Sequence, residues 1–154
     1  MDSKTERFRR KAVGAGASVE IRKLPQGTHS AADAADALGC PLSAIVKTIV
    51  FIVDEQPVIV YTAGVNQVDE QALAATLDAE TLRLADPEEV EEHTGWSIGG
   101  VPPVGHGVDR CLVDPALREH ERIWGGAGTP ESVAAIDPEV LIELQNATPA
   151  DVFE

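Results

Sequence analysis

The sequence predicts a mixed α/β (α+β) chain in which helices pack against an antiparallel or mixed sheet. Three observations lead there. Two strongly apolar runs, "SAIVKTIVFIV" at 43–53 and "PVIVYTAG" at 57–64, are separated only by the polar "DEQ". Such a pair reads as a β-hairpin. Short strand candidates and capped helical stretches alternate irregularly, without the βαβ repeat, GxGxxG or P-loop spacing of nucleotide-binding sheets. The 154 residues and the 44% hydrophobic fraction suit one domain over 1–154 with a substantial core.

The elements follow in order. A basic helix occupies 3–13, within a basic N-terminal segment 1–17, and "SVEIRKL" (18–24) reads as a short strand. Thr28 or Ser30 can cap "SAADAADALG", and Gly39 stops it. The hairpin comes next. Asn66 or Asp69 can then cap "EQALAATL", with Leu73 and Leu77 one turn apart. "TLRLA" (81–85) alternates strictly, as a half-buried strand does. "DPEEVEEHTG" opens on an Asp cap with Pro at the first helical position and closes at Gly95. The same Asp-Pro opening recurs at Asp114-Pro115 and at Asp137-Pro138, the latter starting the last helix, "EVLIELQ". Strand candidates at 110–114 and 122–126 lie between them.

Charge is the strongest compositional signal. Twenty-six acids oppose 12 bases, a net charge of −14. Residues 1–25 hold seven bases and three acids, and the remainder five bases and 23 acids. A body this acidic repels polyanions at low salt. It also has the composition of the halophilic type, with four Lys against eight Arg, and high salt shortens the reach of repulsion to a few ångströms. Charge alone therefore does not exclude a nucleic-acid substrate. No apolar run approaches the roughly 20 residues of a membrane helix. The charged N-terminus has no apolar core of a signal peptide, so a cytoplasmic protein is expected. Cys40 and Cys111 fit no metal spacing and are expected to be reduced core residues. The four histidines form no metal-binding pattern. His106 is expected to face solvent.

Three stretches could carry chemistry. Lys47 stands inside the most apolar run of a lysine-poor chain. Read alone, it either snorkels through a wet strand face or lines a pocket as an anion-binding charge. "HTGWSIGGVPPVGHG" (93–107) has five glycines and two adjacent prolines. Its backbone N–H groups can approach and stabilise a carbonyl oxygen or an anion. "WGGAGTPES" (124–132) is a turn or the edge of a site.

Taken together, "IVKTIVF", "NQVDEQAL", "TGWSIGGVPPVGH" and "WGGAGTPESVAAIDPEVLIELQNATPADVFE" resemble the YbaK-type aminoacyl-tRNA deacylases, relatives of the editing domain inserted in bacterial prolyl-tRNA synthetase. The resemblance covers roughly residues 18–153. It implies a strongly curved, largely antiparallel mixed sheet surrounded by helices. It implies trans-editing of mischarged aminoacyl-tRNA, carrying a small amino acid such as Cys or Ala on tRNA-Pro, without metal or organic cofactor. Aminoacyl-tRNA is then the substrate and prolyl-tRNA synthetase a candidate partner. The family's lysine falls on Lys47 and its loop on Gly99, Gly100, Val101, Pro102 and Pro103. Its glycine edge falls on Gly125, Gly126, Ala127 and Gly128, and Thr48 stands beside the lysine. Lys47, Gly99, Gly100 and Val101 are thus the expected catalytic set. Thr48, Pro102, Pro103 and 125–128 are the expected substrate-binding set. Two positions depart from the family. Pro102 stands where relatives often have Ser, and the glycine edge lacks a base. The basic N-terminus either compensates for that base or serves solubility. The rival reading is a non-catalytic binding module on the same scaffold, recognising a nucleotide, an aminoacyl ester or a protein partner.

Overall fold

In the computed structural model, residues 3–25, 28, 30–129 and 131–154 are described. Among them the α-helices are α1 (Ser3–Gly14), α2 (Ala31–Leu38), α3 (Glu70–Leu77), α4 (Pro87–Thr94) and α5 (Pro138–Gln145). The strands are β1 (Glu20–Lys23), β2 (Val46–Val53), β3 (Gln56–Ala63), β4 (Leu82–Leu84), β5 (Cys111–Val113), β6 (Ile123–Gly126), β7 (Ser132–Ile136) and β8 (Thr148–Pro149). The class is mixed α/β, as expected, and antiparallel pairs predominate.

The hairpin β2–β3 is the spine. Its register runs from Val46 opposite Ala63 to Val53 opposite Gln56. The turn between them is Asp54-Glu55, both at positive φ (48° and 71°), which matches the twist of a tight hairpin without using glycine. Asp54 offsets that strain by accepting hydrogen bonds from the N–H groups of Glu80 and Thr81 at the start of β4. Both faces of the hairpin are covered. Val46, Val50, Ile52, Ile59, Tyr61 and Ala63 belong to one core, and Phe51, Val53, Val58 and Val60 to another that includes Leu73, Leu112 and Val152. Double burial explains why the two runs read as continuously apolar rather than alternating.

The strands divide into two sheets, β4-β2-β3-β5-β8 and β1-β7-β6. They meet where Ile45, just before β2, bridges Trp124 of β6. β7 has no counterpart among the strands expected from sequence. "SVAAI" is short, alanine-rich and follows a Gly/Pro stretch, so local propensity does not mark it. It is nonetheless the central strand of the smaller sheet, flanked by β1 and β6.

The helix ends form where the caps predicted. Asp86 and Glu89 make a capping box at α4, and Gly95 closes that helix at φ 78°. Ser30 caps α2 and Gly39 ends it in the left-handed region. Asp114-Pro115 starts a 3₁₀ turn, Pro115–Glu119, instead of an α-helix. Among the described residues no helix is long and apolar enough to cross a membrane.

Candidate active site

Lys47 is the second residue of β2 and is half-buried. Its Nζ donates to the backbone carbonyl of Asn66, 2.9 Å away. That carbonyl sits in the turn after β3, and the turn is fastened by Asp114. The Asp114 carboxylate, 2% exposed, accepts from the Asn66 amide at 2.8 Å, from Ala63 N–H at 3.1 Å and from Ala116 N–H at 2.9 Å. A buried carboxylate is tolerated when its oxygens are filled this way. The result is a relay from Asp114 through Asn66 to the Lys47 ammonium, which has three donors and spends one of them here.

The loop after α4 runs from Gly95 to Arg110 without helix or strand, yet Trp96, Gly100–Val104, His106 and Val108 are buried. Its polar groups are fixed from beneath by β3. The Tyr61 hydroxyl donates to the carbonyl of Pro103 at 2.6 Å and lies 2.6 Å from His106 Nε2. His106 Nδ1 accepts from Val108 N–H at 3.0 Å. Nδ1 is therefore the unprotonated nitrogen, Nε2 carries the hydrogen, and the tyrosine accepts from it. His106 is not solvent-facing, as expected from sequence, but 2% exposed. Burial pushes its pKa down to about 4, so the ring is neutral at pH 7. Burial likewise raises the Tyr61 hydroxyl well above its ordinary value and the Cys111 thiol to about 11. Cys111 is thus an unreactive core thiol, as its sequence suggested, whereas Cys40 is only partly buried.

The two glycine stretches lie against each other at backbone distance. A Cβ on Gly100 would stand 2.8 Å from the carbonyl oxygen of Gly128, and Gly128 N–H donates to the Gly100 carbonyl at 3.1 Å. A Cβ on Gly126 would stand 3.0 Å from the carbonyl oxygen of Val101, and one on Gly125 2.7 Å from Val46 Cγ1. The glycines are thus required by close approach of three segments: β2, the loop and β6.

Where those segments meet, a cavity of about 260 Å³ opens. Lys47, Thr48, Gly99, Val101 and Gly126 line it. Gly100, Pro102, Pro103, Gly125, Ala127 and Gly128 do not line it. They form the layer that holds the wall, and Ala127 is fully buried. The remaining wall comes from Leu24, Thr28, Ser30, Ala31, Ala34, Ile45, Val46 and Val133. None of these eight was singled out from sequence as a site residue. The one available signal was the small-residue face of α2, where Ala31 and Ala34 are one turn apart.

One polar side-chain group at the cavity lacks a partner among the described residues. Thr48 Oγ1 is buried with no hydrogen bond among the described residues. The Gly100 N–H is spent on the Ser97 carbonyl at 3.0 Å. Unsatisfied buried polar groups are rare and cost roughly 1–3 kcal/mol, so the Thr48 hydroxyl marks a place where a ligand's polar atom belongs. The arrangement offers one cation and one hydroxyl in an otherwise apolar, small-residue pocket. Such a pocket can hold an anion or ribose oxygen near Lys47, polarise a carbonyl through the loop, and admit a small side chain.

Comparison with known proteins gives consistent findings. The family model described as the aminoacyl-tRNA editing domain matches residues 25–144. Among curated proteins, the proline–tRNA ligase of Nitratidesulfovibrio vulgaris strain Hildenborough is 36% identical over 104 residues, covering 66% of this chain and 18% of the ligase. That of Levilactobacillus brevis is 34% identical over 106 residues, covering 68% of this chain and 19% of the ligase. The chain thus spans less than a fifth of the length of these curated relatives. The crystal structure of a proposed trans-editing enzyme for prolyl tRNA synthetase superposes with a TM-score of 0.94 at 32% identity, covering 100% of this chain and 99% of that one.

Proposed function

The chain belongs to the aminoacyl-tRNA editing domain family, and we propose that it hydrolyses an aminoacyl-tRNA ester in trans, on a small amino acid, such as Cys or Ala, carried by tRNA-Pro. In this reading residues 1–154 act as one editing domain in the cytoplasm, with prolyl-tRNA synthetase as the candidate partner.

The observation that carries the reading is that Lys47, Thr48 and Val101 line one small cavity. Lys47 has two N–H donors left after Asn66, and these bind the phosphate or ribose of the terminal adenosine. The Val101 N–H donates to the ester carbonyl oxygen, where negative charge develops as water adds. Water attacks the carbonyl carbon, the bond to the ribose oxygen breaks, and that oxygen leaves with a proton. The products are a free amino acid and an uncharged tRNA. Among the described residues that line the cavity there is no nucleophile–base pair, so in this reading the attacking water is positioned by the site and by the neighbouring ribose hydroxyl of the substrate. Apolar walls of Leu24, Ala31, Ala34 and Val133 set the size of the amino acid admitted. Each methylene of excess size is worth on the order of 1–3 kcal/mol in such a pocket.

The test is direct. Incubation with tRNA-Pro charged with cysteine or alanine, at high salt, is expected to release the amino acid. Lys47→Ala is expected to abolish release while the circular dichroism spectrum is kept. Unchanged turnover in that variant overturns the mechanism. No hydrolysis of any small aminoacyl group by the unmodified protein favours a non-catalytic binding module instead.

A further inference from the structure

The positive charge of the molecule is gathered on α1, and its placement relative to the loop suggests a use. The buried face of α1 is Thr5, Phe8 and Ala12. Beside that face Lys4, Arg7 and Lys11 recur at i, i+3 and i+7, which puts them in one stripe about 10 Å long. Arg7 and Lys11 lie against glycines of the loop with their side chains, and Lys4 against Gly128 with its backbone. The Lys4 backbone carbonyl is 2.9 Å from where a Cβ on Gly128 would stand. The Arg7 guanidinium stacks over Trp96 at 4.1 Å and donates to the Gly95 carbonyl at 3.0 Å. The Lys11 stem lies 3.1 Å from where a Cβ on Gly105 would stand. α1 is also tied to the second glycine stretch, since Thr5 Oγ1 donates to Ser132 Oγ at 3.2 Å and Thr129 Oγ1 to the same atom at 2.8 Å. The stripe therefore runs along the loop that, through Gly99 and Val101, also borders the cavity.

We propose that the Lys4–Arg7–Lys11 stripe docks the phosphates of the tRNA acceptor end, and so delivers the terminal ester to the cavity. The inference rests on the editing reading and adds where the polyanion lies. Three facts support it. The rest of the chain, from residue 26 on, carries five bases against 23 acids, so a polyanion is repelled from most of the surface. The glycine edge contributes no base of its own. Arg7 is held by stacking and a backbone hydrogen bond, so the middle of the stripe is fixed in place rather than a loose solvated charge.

The experiment uses the full chain and two substrates, alanyl-tRNA-Pro and 3′-alanyl-adenosine, which lacks the acceptor phosphates. Lys4→Gln/Lys11→Gln keeps much of the aliphatic stems and removes two charges. The expected result is a rise of about tenfold in KM for the tRNA at low salt. The slope of log(kcat/KM) against log[salt] should become shallower by about 1–2, since each phosphate contact contributes about 0.7–0.9. Hydrolysis of alanyl-adenosine should be unchanged. Arg9→Gln, which removes one charge from the other flank of α1, should leave the slope nearly unaltered. An unaltered slope in the double variant overturns the proposal, as does an equal effect per charge from Arg9→Gln. If the unmodified protein hydrolyses neither substrate, the editing reading falls and the docking proposal with it.

Discussion

Lys47 stands on a strand whose neighbouring turn is pinned by a buried carboxylate, whereas the loop opposite, with Gly99 and Val101, is pinned by a neutral tyrosine and histidine. The two walls of one cavity thus rest on different polar chemistry. On the Lys47 side, Asp114 accepts three hydrogen bonds and presents the Asn66 carbonyl to the ammonium. On the loop side, Tyr61 and His106 fix the Pro103 carbonyl without any formal charge. The difference separates tasks. A wall that holds a cation benefits from an anion one step behind it. A wall that must offer N–H groups to a developing oxyanion is better left uncharged, so that its dipoles are not competed for.

Four measurements probe this contrast. Lys47→Ala strips the first wall of its charge and is expected to lower kcat/KM by about a thousandfold or more, in line with losing a charged stabilising donor. Acid acts on the second wall. His106 is neutral in the fold down to about pH 4 but takes a proton near 6.5 when unfolded. The stability that depends on its neutrality is complete above pH 6.5 and lost as pH falls towards 4, by about 3 kcal/mol. Urea titrations at pH 7 and pH 4 check this against His106→Gln, whose profile should be flatter over the same window. Asp114→Asn leaves one oxygen where two accept, so a donor faces a donor. The expected loss in kcat/KM is about 2 kcal/mol, roughly thirtyfold, with the secondary structure retained. A lower Tm with full turnover would disconnect Asp114 from Lys47. Tyr61→Phe removes the hydroxyl shared by Pro103 and His106, and calorimetry should register about 1 kcal/mol. If that variant costs more turnover than Asp114→Asn, the loop, not the lysine, is the more sensitive wall.

Much of the framework was legible because it is written in local signals. The hairpin follows from two apolar runs and a short polar turn, and α4 follows from Asp86-Pro87 and Gly95. Lys47 and the glycine stretches stood out as residues that local structure did not require. β7 was hidden because "SVAAI" earns its strand from partners on both sides, Glu20–Lys23 and Ile123–Gly126, far away in sequence. His106 was misread for the same reason. A histidine in a glycine-rich loop looks exposed until Tyr61, 45 residues earlier, is seen to meet it. The division of the expected site set, with Thr48 and Val101 at the cavity and Pro102 and Gly128 behind it, depends on contacts between segments and has no local signature. The far wall, Leu24 and Val133 on the smaller sheet's side and Ala31 and Ala34 on α2, was invisible for the same cause.

The backbone-on-backbone packing of Gly100 on Gly128 and Gly126 on Val101 has a consequence for how such a protein can change. These positions have no room for a side chain, so selection cannot retune the pocket through them without breaking it. Freedom lies across the cavity, in Leu24, Ala31, Ala34 and Val133, where one methyl group more or less redraws the space enclosed. If the proposed reading holds, fixed framework and adjustable size lie on opposite walls, and a library confined to those four positions is where altered selectivity is expected to emerge with hydrolysis intact.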